Sequence, residues 1–266
     1  MHGVVNVIDH GPGRDVIWTP DMRQLGRRYS PDPNDLAWAV TEPLMRAVAV
    51  VTKPRKLPWK LGPLLDQGSS SECTIFTGVQ LIQSAPWVHL LNWARSQFTD
   101  AYRGAQRKDE WPGEEPTYYG TSFRAALKEL QECGLVTSYH LVRTEDQAKE
   151  WLARDGMLGF GSDWLSGLDR PDRHGYVEPT GSVRGGHEYV KRWYYGPRHY
   201  KYPDTYEFVN SWGRWGWNGR GIFRMKADAV RYLWHDLNGD LYAMVENFRR
   251  SGRRLLAREN IKELVS

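Results

Sequence analysis

Apolar residues recur at helical spacing in the first half of the chain and alternate with polar ones in the second. In SFRAALKELQECG, Phe123, Ala126, Leu127, Leu130 and Cys133 fall on one face of a 3.6-residue repeat. Thr121 or Ser122 supplies the cap and Gly134 the stop, so Cys133 is expected as a small buried hydrophobe. TIFTGVQLIQSA, residues 74 to 85, is apolar nearly all round, as in a helix enclosed by protein, and Pro86 closes it. TEDQAKEW, from 144, opens on a Thr144 to Gln147 capping box, and the following MLGFGS reads as a buried strand. Residues 163 to 186 are a Gly, Pro and Asp-rich loop of a length that is usually functional in a compact domain. HEYVKRWYY and TYEFVNSW follow as strand-like runs joined by GPRHYKYPD. Ahead of all these, GPG and PDPND mark turns, and DLAWAVTEPLMRAVAV is a short helical pattern interrupted by Pro43. Helices first and strands later predict an α+β protein in two lobes.

Composition narrows the class. The 266 residues are 40% hydrophobic and 26% charged, ordinary for a globular chain with a real core. Thirteen Trp and 14 Tyr supply an unusual area of ring surface for packing around clefts. The net charge of +4 spreads 36 basic residues against 32 acidic ones, so nucleic acid is not an expected partner. The longest apolar run, AVAVV at 47 to 51, is too short to span a membrane. MHGVVNVIDHGPGRD lacks a basic start followed by an apolar h-region, so no secretory signal is read, and a cytoplasmic or virion-associated location is expected. The terminal NFRRSGRRLLARENIKELVS is an arginine-rich tail with a helical pattern, read as a solvated terminal helix.

Two cysteines in such different contexts do not suggest a bridge. Cys73 follows a polar loop, DQGSSSE, and stands where a helix should begin. Exposed N–H groups and the helix dipole favour a thiolate there. A thiolate nucleophile needs a base, an orienting group for that base and donors for an oxyanion. His187, in RGGHEYVKRWY, is the distinctive histidine, because Gly185 and Gly186 allow another backbone or a substrate close to the ring. Asn210 ends a strand and enters a Trp and Gly-rich turn. Taken singly, a strand histidine is more often structural and a strand-end asparagine more often turn chemistry.

Taken in order, Gln, Cys, His and Asn with these flanks resemble the papain-like cysteine peptidase family. DQGSSSECTIF is similar to that family's DQG-x-x-x-x-C-x-x-F segment, and its CT-x-F ending resembles the bacterial and viral branch. GGH at 185 to 187, NSWG at 210 to 213, WGWNGRGIFRM and the helix TSFRAALKELQECGLV behind Gly120 are similar to further family motifs. The likeness runs from about residue 59 to residue 225. It implies a two-lobed papain-like fold, a helical lobe facing an antiparallel β-barrel-like lobe. It also implies Cys73 as nucleophile, His187 as its partner, Asn210 orienting the imidazole, Trp212 shielding that bond and Gln67 donating to the oxyanion. No metal or cofactor is implied, and the expected substrate is a protein or peptide.

Domain boundaries follow the likeness: an N-terminal extension over 1–57, a peptidase domain over 58–247 and the basic tail over 248–266. The extension shows no long helical prodomain, which leaves control to substrate access or to the 1–57 segment itself. Three departures stand out. Ser70 occupies a position that is a disulfide cysteine in many members. Glu72 precedes the nucleophile, where it would oppose a thiolate if it faced the sulfur, and otherwise points to solvent or stabilises the helix start. Glu188 follows His187 and, if buried, needs a cation, for which Arg192 lies on the same strand face. Beside peptide hydrolysis, two other functions suit this pattern: an amidase or transferase on a non-protein amide such as a cell-wall crosslink, and a catalytically weak interaction module.

Overall fold

The computed structural model of the chain describes residues 8–9, 15–16, 25–48 and 53–246; the basic tail expected over 248–266 lies outside them. Two short strands, β1 (Ile8–Asp9) and β2 (Asp15–Val16), pair with each other. A 3-10 turn at Pro33–Leu36 and a helix α1 (Glu42–Val48) follow. Pro43 stands in the first turn of α1, where its missing N–H has no helical acceptor to lose. It therefore opens the helix that the sequence pattern has it interrupt.

Three helices form one lobe: α2 (Cys73–Gln83), α3 (Arg95–Gln106) and α4 (Phe123–Glu132). Every residue of α2 is buried, as its all-round apolar pattern requires. Ser122 caps α4 by accepting from the Ala125 N–H, and Phe123, Ala126, Leu127 and Leu130 are buried. Cys133 is not buried with them. The helix ends at Glu132, so Cys133 sits at the turn, exposed, with its Sγ 3.6 Å from Glu129 Oε1.

The second lobe is built on a six-stranded antiparallel sheet: β3 (Val136–Leu141), β4 (Leu158–Leu165), β5 (Val183–Tyr195), β6 (Thr205–Val209), β7 (Ile222–Lys226) and β8 (Asp240–Glu246). The strand order is β3-β8-β4-β5-β6-β7, so the last strand returns to insert between β3 and β4. The sheet is open: among the described residues β3 and β7 are its two edges. Helix α5 (Glu145–Arg154) starts at the Thr144 to Gln147 capping box, and α6 (Ala227–Asp236) precedes β8. The long loop is shorter than the sequence suggests, because β4 runs to Leu165 and β5 starts at Val183.

Each face of the sheet joins a different core. Val190, Val209, Tyr242 and Met244 pack with Val79, Ile82 and Leu130 of the helical lobe. Phe160, Tyr189, Phe208 and Phe223 face the other way, with Trp151 and Leu152 of α5 and Leu233 of α6. The candidate site lies where the start of α2 meets β5.

Candidate active site

Alternation along β5 presents His187 and Glu188 to opposite faces of the sheet. His187 is fully buried and its Nε2 lies 2.8 Å from Asn210 Oδ1, which also accepts from the Ser211 N–H at 2.7 Å. A carboxamide oxygen only accepts, so Nε2 carries the proton and the neutral ring presents Nδ1 as a base. That Nδ1 is buried without a hydrogen-bond partner. Two indoles enclose the ring: Trp212 at 4.9 Å between centroids and, edge-on, Trp164 at 5.0 Å. Trp164 is a member of this enclosure that no motif in the sequence points to.

Gln67 is sewn to the asparagine loop. Its backbone N–H donates to Ser211 O at 2.8 Å, and its Oε1 accepts from Ser211 Oγ at 2.5 Å. Its Nε2 donates to Ser70 O at 2.7 Å, which fixes the amide over the loop leading to Cys73.

Cys73 begins α2, as expected, and is fully buried. Its sulfur meets the backbone N–H of Glu188, next in sequence to His187, which brings the thiol to the histidine strand. The thiol is not an anion here. Burial pushes it up to about 12, against the backbone N–H groups of Glu188 and Gly26, which favour thiolate. Burial likewise holds His187 down to about 4. A neutral thiol and a neutral imidazole therefore replace the ion pair that a bare helix start would favour.

The cause is a stretch of the N-terminal extension, residues 25–28, lying across the cleft. Arg27 N–H donates to Gly186 O at 3.0 Å, Arg28 N–H to Thr121 O at 3.0 Å, and Thr121 N–H to Gly26 O at 2.9 Å. The segment thus pairs with the helical lobe on one side and with the strand of His187 on the other. Close approach demands glycines at both surfaces. A Cβ on Gly26 would stand 1.8 Å from Ser71 O, and one on Gly186 would stand 2.1 Å from Arg27 O. Leu25 lies against Gly185, 3.2 Å from where its Cβ would be.

Both glutamates find cations, though not the expected surroundings. Glu72 is buried and turned toward α3, where Arg95 NH2 at 2.6 Å and Thr99 Oγ1 at 2.9 Å hold its carboxylate. It neither faces solvent nor caps α2, since its side chain makes no cap bond. Glu188 pairs with Arg27 Nε at 3.4 Å, not with Arg192. The register of β5 on β6 shifts between Lys191 and Trp193, which breaks the alternation at Arg192. Arg192 instead meets Glu207 at 2.6 Å and Trp59 O at 2.8 Å.

The buried neutral His187 has a consequence for stability. Its folded value of about 4 lies below the ordinary 6.5, so between those values the unfolded chain binds a proton that the folded one refuses. Stability is therefore expected to fall as pH drops from 6.5 to 4, and less steeply in His187→Gln. Melting curves across that range check it; identical slopes for the two proteins would contradict it.

No family model matches the sequence, and no curated protein matches it. Solved structures do match in shape. Xylellain, a cysteine protease from Xylella fastidiosa, is 16% identical, with 86% of this chain and 99% of that one covered at a TM-score of 0.54. Procathepsin L 3 from the larval midgut of Tenebrio molitor is 11% identical, with 83% of each chain covered and a TM-score of 0.54. At these identities the likeness establishes the fold: this chain has the two-lobed α+β architecture of papain-like cysteine proteases. Among the described residues, no helix is long and apolar enough to cross a membrane.

Proposed function

We propose that the chain is a papain-like cysteine peptidase held latent by its own residues 25–28, with the extension over 1–57 supplying the cover and residues 58–247 the catalytic unit. Its CT-x-F ending aligns this reading with the bacterial and viral branch of such enzymes. The observation that carries the proposal is the histidine pair. His187, tied through Nε2 to Asn210 and walled by Trp212 and Trp164, presents an unprotonated Nδ1 on the strand that also meets the Cys73 sulfur.

With the cleft vacated, solvent and substrate reach the sulfur and the burial that keeps it protonated is relieved. The thiol proton passes to His187 Nδ1, and the thiolate attacks the substrate carbonyl carbon. The carbonyl electron pair moves onto oxygen, where the Gln67 amide and the Cys73 N–H are the donors. Collapse expels the amine, which takes its proton from His187, and leaves a thioester. Water, deprotonated by His187, then hydrolyses the thioester and restores the thiol. Asn210 acts by keeping the ring oriented while it gains and loses charge.

Gln67→Ala is expected to lower turnover of a released enzyme by about a hundred- to a thousandfold, with a much smaller change in KM. Steady-state kinetics on a fluorogenic peptide check this. Unchanged turnover would remove Gln67 from the oxyanion role.

A further inference from the structure

A cavity of about 550 Å³ lies between the lobes, and neither Cys73, His187 and Asn210 nor residues 25–28 contribute to its walls. It is bounded by the stretch from Pro58 to Leu64, by Gln80 of α2 and by one face of β5, β6 and β7. The register of the sheet divides that face. Glu207 of β6 pairs with Arg224 of β7, and two residues along the same strands Val209 pairs with Ile222, so a charged row is followed by an apolar one. The bulge between Lys191 and Trp193 adds Arg192 to the charged row. Leu61 and Leu64 extend the apolar end, and Trp217 and Tyr202 supply ring surface.

The charges in the cavity do not balance. Arg192, Arg220 and Arg224 line it against the single carboxylate of Glu207, which leaves an excess of two positive charges. Glu207 is fully engaged: Oε1 accepts from Arg192 NH1 at 2.6 Å, and Oε2 accepts from Arg224 NH2 at 2.7 Å and from Tyr195 OH at 3.1 Å. Donors are left over. Arg224 is only 2% exposed, its guanidinium carbon lies over the rings of Tyr202 and Trp217 at 4.4 and 4.5 Å, and its buried Nε has no hydrogen-bond partner. Arg192 spends Nε on Trp59 O and NH1 on Glu207, and its NH2 makes no hydrogen bond. Arg220 is exposed at the rim and forms no ion pair among the described residues.

We propose that this cavity is a binding site for an amphipathic carboxylate, one anionic head on an aromatic or branched aliphatic body. The proposal does not depend on the peptidase reading. Guanidinium groups in excess of their carboxylate and drawn out of water are costly to leave unmatched, and a planar carboxylate fits their fork of donors. An inorganic anion would leave the apolar row bare, and an uncharged apolar molecule would leave the excess charge unanswered. The volume falls within the range of about 300–1,000 Å³ in which small molecules are enclosed. Gln80 narrows the class further. It is buried, its Nε2 donates to Ser84 Oγ at 3.1 Å and its Oε1 accepts no hydrogen bond, so a ligand with an N–H near the carboxylate completes it. Acylated amino acids and the last residue of a peptide share that chemistry.

The test uses the full-length wild-type chain, in which residues 25–28 cover the catalytic cleft. It is titrated calorimetrically with N-acetyl-phenylalanine, with N-acetyl-phenylalanine amide, with acetate and with the peptide Gly-Gly-Gly-Phe bearing a free carboxylate. N-acetyl-phenylalanine should bind about tenfold or more tightly than its amide or acetate, because only it carries both head and body. Arg220→Glu, at an exposed position, and Leu64→Asp, at the apolar end, should each weaken it by a similar factor while melting like the wild type. Hydrogen exchange of the wild type with and without N-acetyl-phenylalanine gives the same answer without a variant: added protection should fall on residues 58–64, 207–209 and 217–224. The peptide binding as tightly as N-acetyl-phenylalanine would assign the site to chain ends, and binding only the free acylated amino acid would assign it to small molecules; both uphold the site. Equal affinity for the acid and its amide, protection confined to other residues, or no binding of any of the four compounds would overturn the proposal.

Discussion

Cys73→Ala is expected to abolish peptide hydrolysis, by about ten-thousandfold or more, when measured in a chain whose cleft has been opened by Gly26→Val. The size follows from the chemistry: without the sulfur no thioester forms, and His187 has no thiol proton to accept. The substitution removes one buried sulfur at the start of α2 and leaves the helix contacts in place, so the melting temperature should change little by comparison. Asn210→Ala is a graded control. It keeps the nucleophile and frees the imidazole that the 2.8 Å bond orients, so its loss should be smaller. Hydrolysis that survives Cys73→Ala would assign the activity to another group.

Gly26→Val should act in the opposite direction, raising turnover of the full chain by about a hundredfold or more. Any β-carbon at this position runs into the Ser71 carbonyl oxygen, and that backbone belongs to the loop leading into α2. Displacing the segment breaks three backbone hydrogen bonds, at Gly186 and at both groups of Thr121. It also exposes the thiol, whose resistance to ionisation comes first from burial. Arg27→Ala keeps those backbone bonds and loses only the buried guanidinium, so it should activate less. A full-length wild-type protein as active as Gly26→Val would show that the segment does not restrain the enzyme.

Much of this site is legible in the sequence because of the order of its members. The polar loop before the helix of Cys73, the paired glycines before His187 and the strand end at Asn210 are each weak signals, and it is their order, with its resemblance to papain-like cysteine peptidases, that singles these residues out. The core helices are plainer, since the apolar face of α4 and the capping box of α5 are local signals. Cys133 shows the limit of periodicity: it keeps the spacing of a buried face, but the helix stops one residue earlier and the side chain faces outward. What the sequence hides is set by long-range pairing. Asp240 reaches Gly161 and Glu188 only because β8 inserts between β3 and β4. The Asn-Gly turn at 238 and 239 and the unbroken apolar run LYAMV after it are the local trace of that strand. Arg27 is farther still, 161 positions before its partner Glu188, in a stretch with no periodicity. The misplaced partner of Glu188 has the same origin, because a bulge in β5 re-aims Arg192 in a way that strict alternation does not foresee.

The central claim is that Cys73 is a nucleophile kept neutral beneath residues 25–28. Its most direct test is the rate at which iodoacetamide alkylates Cys73, mapped by mass spectrometry from pH 5 to 9, in the full chain and in Gly26→Val, both carrying Cys133→Ser to remove the exposed thiol. With the thiol pushed up to about 12 under the segment, the wild-type rate should be slow and still climbing at pH 9. Gly26→Val should react fast already at pH 6, with that fast phase lost in His187→Ala. Rapid labelling of the covered wild type at pH 6, or a variant no faster than an ordinary thiol, would contradict the account.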